Sequence, residues 1–217
     1  MSDEFRQARS ALVHTVLIPN RIYQPRLLDA IQHLPRHAFV TPRHLAYENR
    51  ALALPFGQRI LAPLTQATIV QAARLSGTER VLEVGTGSGY LTALLLQMAG
   101  YVFSLERDAR LAAQAADRLH RLGYQNVDLH VGDGSQGLAD MSPYDAIIVT
   151  AATPKVPGPL AMQLGDGGRL LIPIGSAKTQ QLHLIRRQDD RWHRSVLGTI
   201  RTTPLVGRYG FTSSSRR

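Results

Sequence analysis

The apolar positions of the chain change their period near residue 76. Before that point they recur at helical spacing. Phe5, Ala8, Leu12, Val13 and Val16 fall three or four residues apart and predict a helix over residues 2–17, which Pro19 stops. Pro25 suits the first turn of a second, shorter helix over 25–33. Residues 35–63 are punctuated by proline and carry no period, so this stretch is expected to be an irregular cover over something functional. "TQATIVQAARL", residues 65–75, returns to helix, with Thr65 as its expected N-cap.

Beyond residue 80 short apolar runs alternate with amphipathic stretches. Strands are predicted at 80–84, 101–106, 127–131, 144–151 and 168–175, and helices at 88–98, 108–123 and 157–164. Such alternation predicts an α/β fold: a doubly wound parallel sheet with helices on both faces and right-handed crossovers. Two further strand-like runs flank a polar turn at Gln188-Asp189-Asp190, which adds an antiparallel hairpin at the C-terminal end. No linker or repeat divides the chain. The expected organisation is a single domain over 1–217, with an N-terminal helical cap (1–75), an α/β core (76–206) and a mobile tail (207–217).

Composition narrows the picture. Apolar residues make up 44% of the chain and charged residues 19%, an ordinary globular balance. No apolar run approaches the ~18 residues that cross a bilayer, and the acidic opening Ser2-Asp3-Glu4 lacks a signal-peptide core. A cytoplasmic protein without a membrane partner is expected. There are no cysteines, which excludes disulfides, thiol nucleophiles and thiolate metal sites. The eight histidines are scattered and are read as structural, so no metal site is expected. The formal net charge of +9 attracts anions and keeps nucleic acid open as a partner, although no long basic run is present.

The chemistry is concentrated in "VLEVGTGSGY", Val81 to Tyr90. Its glycines, Gly85, Gly87 and Gly89, make GxGxG. A dinucleotide turn of the GxGxxG kind would place glycine at Tyr90, and no Walker-type GxxxxGK run exists. A bare-backbone turn of this type can approach a ligand closely without being aimed at phosphate. Glu106, at the end of the second strand, can accept both hydroxyls of a ribose. Asp133, in "GDG" after the third strand, can accept from an adenine amino group while Gly134 leaves room for the ring. Glu83 is expected to support the turn.

This combination resembles the class I S-adenosylmethionine-dependent methyltransferases, whose Rossmann-like sheet also adds an antiparallel strand. The likeness extends to "PRHAFV", "AYENRALALPFGQ", "GDGSQG", "YDAIIVTAATPKVP", "LGDGGRLLIPIG" and "TPLV". Over about 35–205 the chain resembles the protein-L-isoaspartate O-methyltransferase family. The resemblance implies S-adenosyl-L-methionine as cofactor, S-adenosyl-L-homocysteine as product, and isoaspartyl peptides or proteins as partners in repair. It implies cofactor contacts at Ile60, Leu61, Gly85, Thr86, Gly87, Ser88, Glu106, Arg107, Asp133 and Gly134. It implies a peptide groove along Thr150, Ala151 and the strand through Pro204, Leu205 and Val206.

One motif departs from the family. Where it carries Gly-Gln-Thr-Ile-Ser-x-Pro, this chain reads "GQRILAP", Gly57 to Pro63. The family's active-site serine is Leu61, which cannot donate a hydrogen bond, and its threonine is Arg59. A guanidinium can grip a carboxylate bidentately, so Arg59 is the candidate substitute. Three readings remain open: isoaspartate methylation oriented by Arg59, methylation of another acceptor on the same scaffold, and cofactor binding with little turnover. An RNA methyltransferase is a further alternative. The Asn/Asp-Pro-Pro-aromatic run of amino-directed nucleic-acid enzymes is replaced here by "TAATP" (150–154).

Overall fold

In the computed structural model, residues 3–176, 178–189 and 191–212 are described. The period-2 runs form one seven-stranded sheet of β3 (Arg80–Val84), β4 (Tyr101–Glu106), β5 (Val127–Val131), β6 (Tyr144–Val149), β7 (Leu164–Gly175), β8 (Gln180–Gln188) and β9 (Arg191–Ile200). Its order is β5-β4-β3-β6-β7-β8-β9. The first five strands are mutually parallel, and β8 and β9 are antiparallel additions, as the hairpin pattern predicts. Asp190 of the predicted hairpin turn lies outside the described residues.

Strand alternation sorts the core into two layers. Val81, Val102, Ala146, Ile148 and Leu171 face one layer. Leu82, Val84, Phe103, Ile147, Val149, Leu170 and Ile172 face the other. The first layer is thick. It takes in α1 (Asp3–Ala11) with its π-helical continuation Leu12–Leu17, α2 (Pro25–His33), α3 (Pro63–Ala73), α4 (Tyr90–Leu96) and Leu119 of α5 (Ala109–Arg121). The second layer is closed by the short α6 (Gly158–Met162) through Leu160 and by Leu205 from the C-terminal segment. Helices therefore cover both faces, but unequally, because the N-terminal cap packs entirely on one.

Several expectations change. Residues 35–63 hold a two-stranded antiparallel ribbon, β1 (Leu52–Ala53) with β2 (Arg59–Ile60), among short 3-10 turns. Helix α3 begins at Pro63, whose missing N–H costs nothing in a first turn. Ala62 holds the cap position, so Thr65 lies inside the first turn and is not the N-cap. The sequence 203–206 does not form a strand; it makes isolated parallel bridges, Ala152 to Pro204 and Val206 to Phe211. The start of the expected tail is folded. Arg208 N donates to Asp133 Oδ2 at 2.7 Å, and Tyr209 N donates to Ser135 Oγ at 2.9 Å. The rest of that tail, 213–217, lies outside the described residues.

Glu79 fastens the cap to the sheet. Its carboxylate accepts from Ser76 N, Ser76 Oγ and Gly77 N at 2.8–3.0 Å, and from Arg169 of β7 at 3.2 Å. Arg169 in turn donates to the carbonyls of Ala73 and Arg74 at the end of α3. Burial alone would raise the Glu79 pKa, but the hydrogen bonds from Ser76 and Gly77 prevail and bring it from 4.5 to about 2. The unfolded chain protonates first, so this stabilisation is complete above pH 4.5 and is lost as pH falls through about 2. Glu79→Gln is expected to cost about 1–3 kcal/mol at neutral pH and to flatten the acid limb of stability, as read by urea denaturation across that range.

Candidate active site

Strand order reverses at β3, whose successor β4 lies on one side and β6 on the other. Crevices for ligands open at the carboxyl ends of strands at such a point. The turn 85–89 crosses it with φ of 100°, 54° and 84° at Gly85, Gly87 and Gly89. Glycine is obligatory at the first: a Cβ on Gly85 would stand 2.2 Å from Thr150 Oγ1. That hydroxyl donates to the carbonyls of Val84 and Gly85 at 3.1 and 3.0 Å, tying the turn to the loop after β6.

Glu106 closes the other side of the turn. Its Oε2 accepts from Gly87 N at 2.9 Å, and its Oε1 accepts from Arg107 N and Asp108 N at 2.8 and 3.0 Å. Two carboxylate oxygens offer about four acceptor sites, so acceptor capacity remains for a ligand hydroxyl. Gly134 forms a flat wall opposite, where a Cβ would meet Val84 Cγ1 at 2.4 Å. Asp133 is placed differently from the expectation. It is not among the crevice-lining residues; its carboxylate turns to Ser135 N, Ser135 Oγ and Arg208 N. Those contacts hold its pKa down against the opposing effect of burial.

Glu83 lies beneath the turn, fully buried. Its Oε2 accepts from Thr92 Oγ1 at 2.5 Å and Ser104 Oγ at 2.6 Å, and Ser104 Oγ is 2.6 Å from Thr86 Oγ1. Burial lifts the Glu83 pKa to about 8; the Ser104 and Thr92 hydrogen bonds oppose the rise, and the charge on Glu106 adds to it. The carboxyl is therefore neutral at pH 7. It braces the turn without setting a second negative charge beside Glu106.

The cap supplies the roof. Arg59, Ile60, Leu61, Gln66 and Leu91 enclose a chamber over Gly85, Thr86, Gly87 and Ser88. Next to it Arg107, Gly134, Thr150, Ala151, Pro204, Leu205 and Val206 line a second chamber with Glu106. Arg59 borders both and donates one hydrogen bond, to Ala51 O at 3.3 Å. Every residue expected at the site except Asp133 thus meets in one crevice. The chambers measure about 30 and 70 Å³, below the ~300 Å³ of a typical ligand pocket. A larger cavity of about 620 Å³ lies beyond Leu54 and Pro55, against α5. Gly85, Gly87 and Glu106 line the smaller crevice and not this cavity.

Two buried polar residues of the roof escape a sequence reading. Gln66 is a polar position buried among Ala67, Ile69 and Val70 of α3, and that anomaly was the available signal. Arg36 carries no such signal. It is fully buried and donates to Ala46 O and Leu61 O, both at 2.8 Å, and to Gln66 Oε1. Its guanidinium lies 4.7 Å from the centroid of the Tyr90 ring. Among the described residues no group of three or more His, Asp or Glu could hold a metal ion.

Residues 7–210 match the family described as protein-L-isoaspartate(D-aspartate) O-methyltransferase. The chain belongs to that family. It is a methyltransferase, 42% identical to the protein-L-isoaspartate O-methyltransferase of Koribacter versatilis over 96% of this chain and 95% of that protein. It is 44% identical to the enzyme of the same description from Dictyoglomus turgidum, with the same coverage. A solved protein-L-isoaspartate O-methyltransferase superposes with a TM-score of 0.84 at 28% identity, over 93% of this chain and 67% of that one. A Plasmodium falciparum structure, described as a putative member in complex with S-adenosyl-L-homocysteine, shares the fold. Its TM-score is 0.78 at 21% identity, over 94% of this chain and 99% of that one.

The neutral Glu83 gives the methyltransferase a characteristic pH dependence. Between 4.5 and about 8 the folded protein holds this proton and the unfolded chain does not, so the group's contribution to stability falls as pH rises through that window. Glu83→Gln keeps the shape without the ionisation. Its chemical-denaturation midpoint is expected to be flatter than wild type over that window; parallel profiles would contradict the assignment.

Proposed function

We propose that the crevice transfers a methyl group from S-adenosyl-L-methionine to the free α-carboxylate of L-isoaspartyl residues in polypeptides, with Arg59 orienting that carboxylate. The observation that carries this reading is the convergence of the glycine turn, Glu106 and Arg59 on one crevice in a chain of this family. The residues suit the cofactor. Glu106 retains acceptor capacity for ribose hydroxyls, and the bare backbone of Gly85 to Gly87 and the flat wall at Gly134 admit close approach. S-adenosyl-L-methionine, when bound, supplies an activated methyl on a positively charged sulfur.

The protein's share of the chemistry is positional. A carboxylate with a pKa near ~4 is already ionised at neutral pH, so no general base is needed. Arg59 borders both chambers and has donors free beyond its bond to Ala51 O, enough for a two-point grip on a carboxylate. Ile60 and Leu61 are buried and apolar at the reacting end, where they exclude water from the attacking oxygen. Orientation and desolvation take the place of the hydroxyl that Leu61 lacks. Thr150, Ala151 and the Pro204–Val206 segment form the wall along which the peptide lies. Asp133, through Arg208 N and Ser135, holds that wall's far end.

A radiolabelled methyl-transfer assay on paired peptides, one containing isoaspartate and one aspartate, tests the reading. Transfer to the isoaspartyl peptide alone is expected. Arg59→Gln should lower kcat/KM about 10- to 100-fold, the worth of a charge-assisted pair, with cofactor affinity retained. Glu106→Ala should weaken S-adenosyl-L-methionine binding by about 1–3 kcal/mol in calorimetry. Transfer to neither peptide would move the assignment to another acceptor on the same scaffold, RNA included.

A further inference from the structure

One large cavity has no part in the chemistry described so far. It is an open groove of about 620 Å³ between α5, the segment Ala38–Arg43 and the loop at Leu54 and Pro55. Its charged lining residues are Arg43, Arg118 and Arg121, and no carboxylate lines it. The three guanidiniums come from two walls: Arg43 from the cap, Arg118 and Arg121 from α5.

These cations are only partly compensated, by Asp117 beside Arg121 and Arg118. Arg118 donates to Ser88 O at 3.3 Å and to Gln114 Oε1 at 3.4 Å, both neutral and both long. Burial, and then the neighbouring Arg121, lower its pKa. Arg121 pairs with Asp117 on the solvent side. Arg43 forms no ion pair among the described residues. Elsewhere arginines stand beside acids: Arg6 with Asp3, Arg50 with Glu48, Arg110 with Asp108 and Arg169 with Glu79. The C-terminus of α5 favours Arg118 and Arg121 through its dipole, but Arg43 lines the groove from another element and gains nothing from it. Like charges gathered around a groove, with no acid inside, fit an anionic occupant.

The position of the groove narrows the occupant. Leu54 and Ser88 line both the groove and the reaction chamber, so the two share a wall. Apolar side chains, Leu54 and Leu111 among them, form the floor beneath the arginines. We infer that the groove binds an acidic stretch of the polypeptide substrate, with Asp or Glu side chains engaging Arg43, Arg118 and Arg121. It would be a recognition site apart from the one that receives the methylated carboxylate. This inference rests on the substrate being a polypeptide, and its test separates the two.

Three isoaspartyl peptides, flanked by three glutamates, three glutamines or three lysines, are compared in the methyl-transfer assay. The enzymes are wild type, the double variant Arg43→Gln/Arg121→Gln and the distant control Arg201→Gln. The glutamate peptide is expected to show a KM about five- to tenfold below the glutamine peptide, the worth of two or three exposed charge pairs. The advantage should vanish at about 0.5 M NaCl, persist in the control and disappear in the double variant with kcat unchanged. A fluorescein-labelled glutamate peptide without isoaspartate should bind wild type in anisotropy and lose most of that binding in the double variant. Methylation without a glutamate preference, or a preference that survives in the double variant, overturns the inference and leaves the isoaspartate reading intact. If no peptide is methylated, anisotropy alone decides: binding lost in the double variant upholds the groove, and absence of binding overturns it. A random RNA oligonucleotide that displaces the peptide and binds more tightly overturns it in favour of a nucleic-acid partner.

Discussion

The cap is anchored by a buried cation that forms no ion pair among the described residues. Arg36 is enclosed completely, and its donors reach Ala46 O, Leu61 O and Gln66 Oε1, with Tyr90 beneath the guanidinium plane. Burial lowers its pKa to about 10, which still leaves it charged at neutral pH. A desolvated charge is tolerated only where its hydrogen bonds are met. Here they are met by the irregular segment, the residue in the family's serine position and the first turn of α3. One side chain thus fixes parts of the cap that have no regular structure of their own, and it sets Leu61 over the glycine turn.

Against that roof the floor is made of backbone. The turn 85–89 is held from below by Thr86, Ser104 and Glu83, from one side by Glu106 and from the other by Thr150. The two acids divide the work through their surroundings. Glu106 accepts three backbone N–H groups at the crevice. Glu83, sealed beneath, has its pKa lifted by burial to about 8, so at pH 7 it sets no further negative charge directly under the turn. The reaction needs no base and no metal ligand from this chain. What the fold contributes is a water-poor chamber with a guanidinium at its edge.

The basic character of the chain is unevenly spread. Several arginines stand in local pairs with acids, whereas the groove beside α5 is lined by three arginines and no acid, and of the three only Arg121 has an acidic partner, Asp117. A net charge of +9 alone is equally consistent with a solvated surface, and only the gathering of Arg43, Arg118 and Arg121 around one groove distinguishes a site from a scatter.

The central sheet, its parallel order and its terminal hairpin were legible in the sequence. Strand periodicity and glycine spacing are local properties, and burial on both faces writes itself into runs such as Arg80–Val84 and Tyr144–Val149. The placement of the turn residues and Glu106 at one crevice was legible for the same reason, since they follow strand ends at fixed intervals. Other features depend on partners far away in the chain. Asp133 belongs to the 207–209 turn because Arg208, 75 residues later, folds back onto it. Pro204–Val206 forms bridges because Ala152 is its neighbour, with no alternating run to mark a strand. Arg36 reads as a surface arginine until Leu61 and Gln66 close around it. The sequence by itself determined which elements form and where a nucleoside-binding turn must lie, because those follow from nearest neighbours and period. Only the tertiary structure decided which charges are buried, paired or left facing one another, because a side chain's electrostatics depend on everything that packs against it.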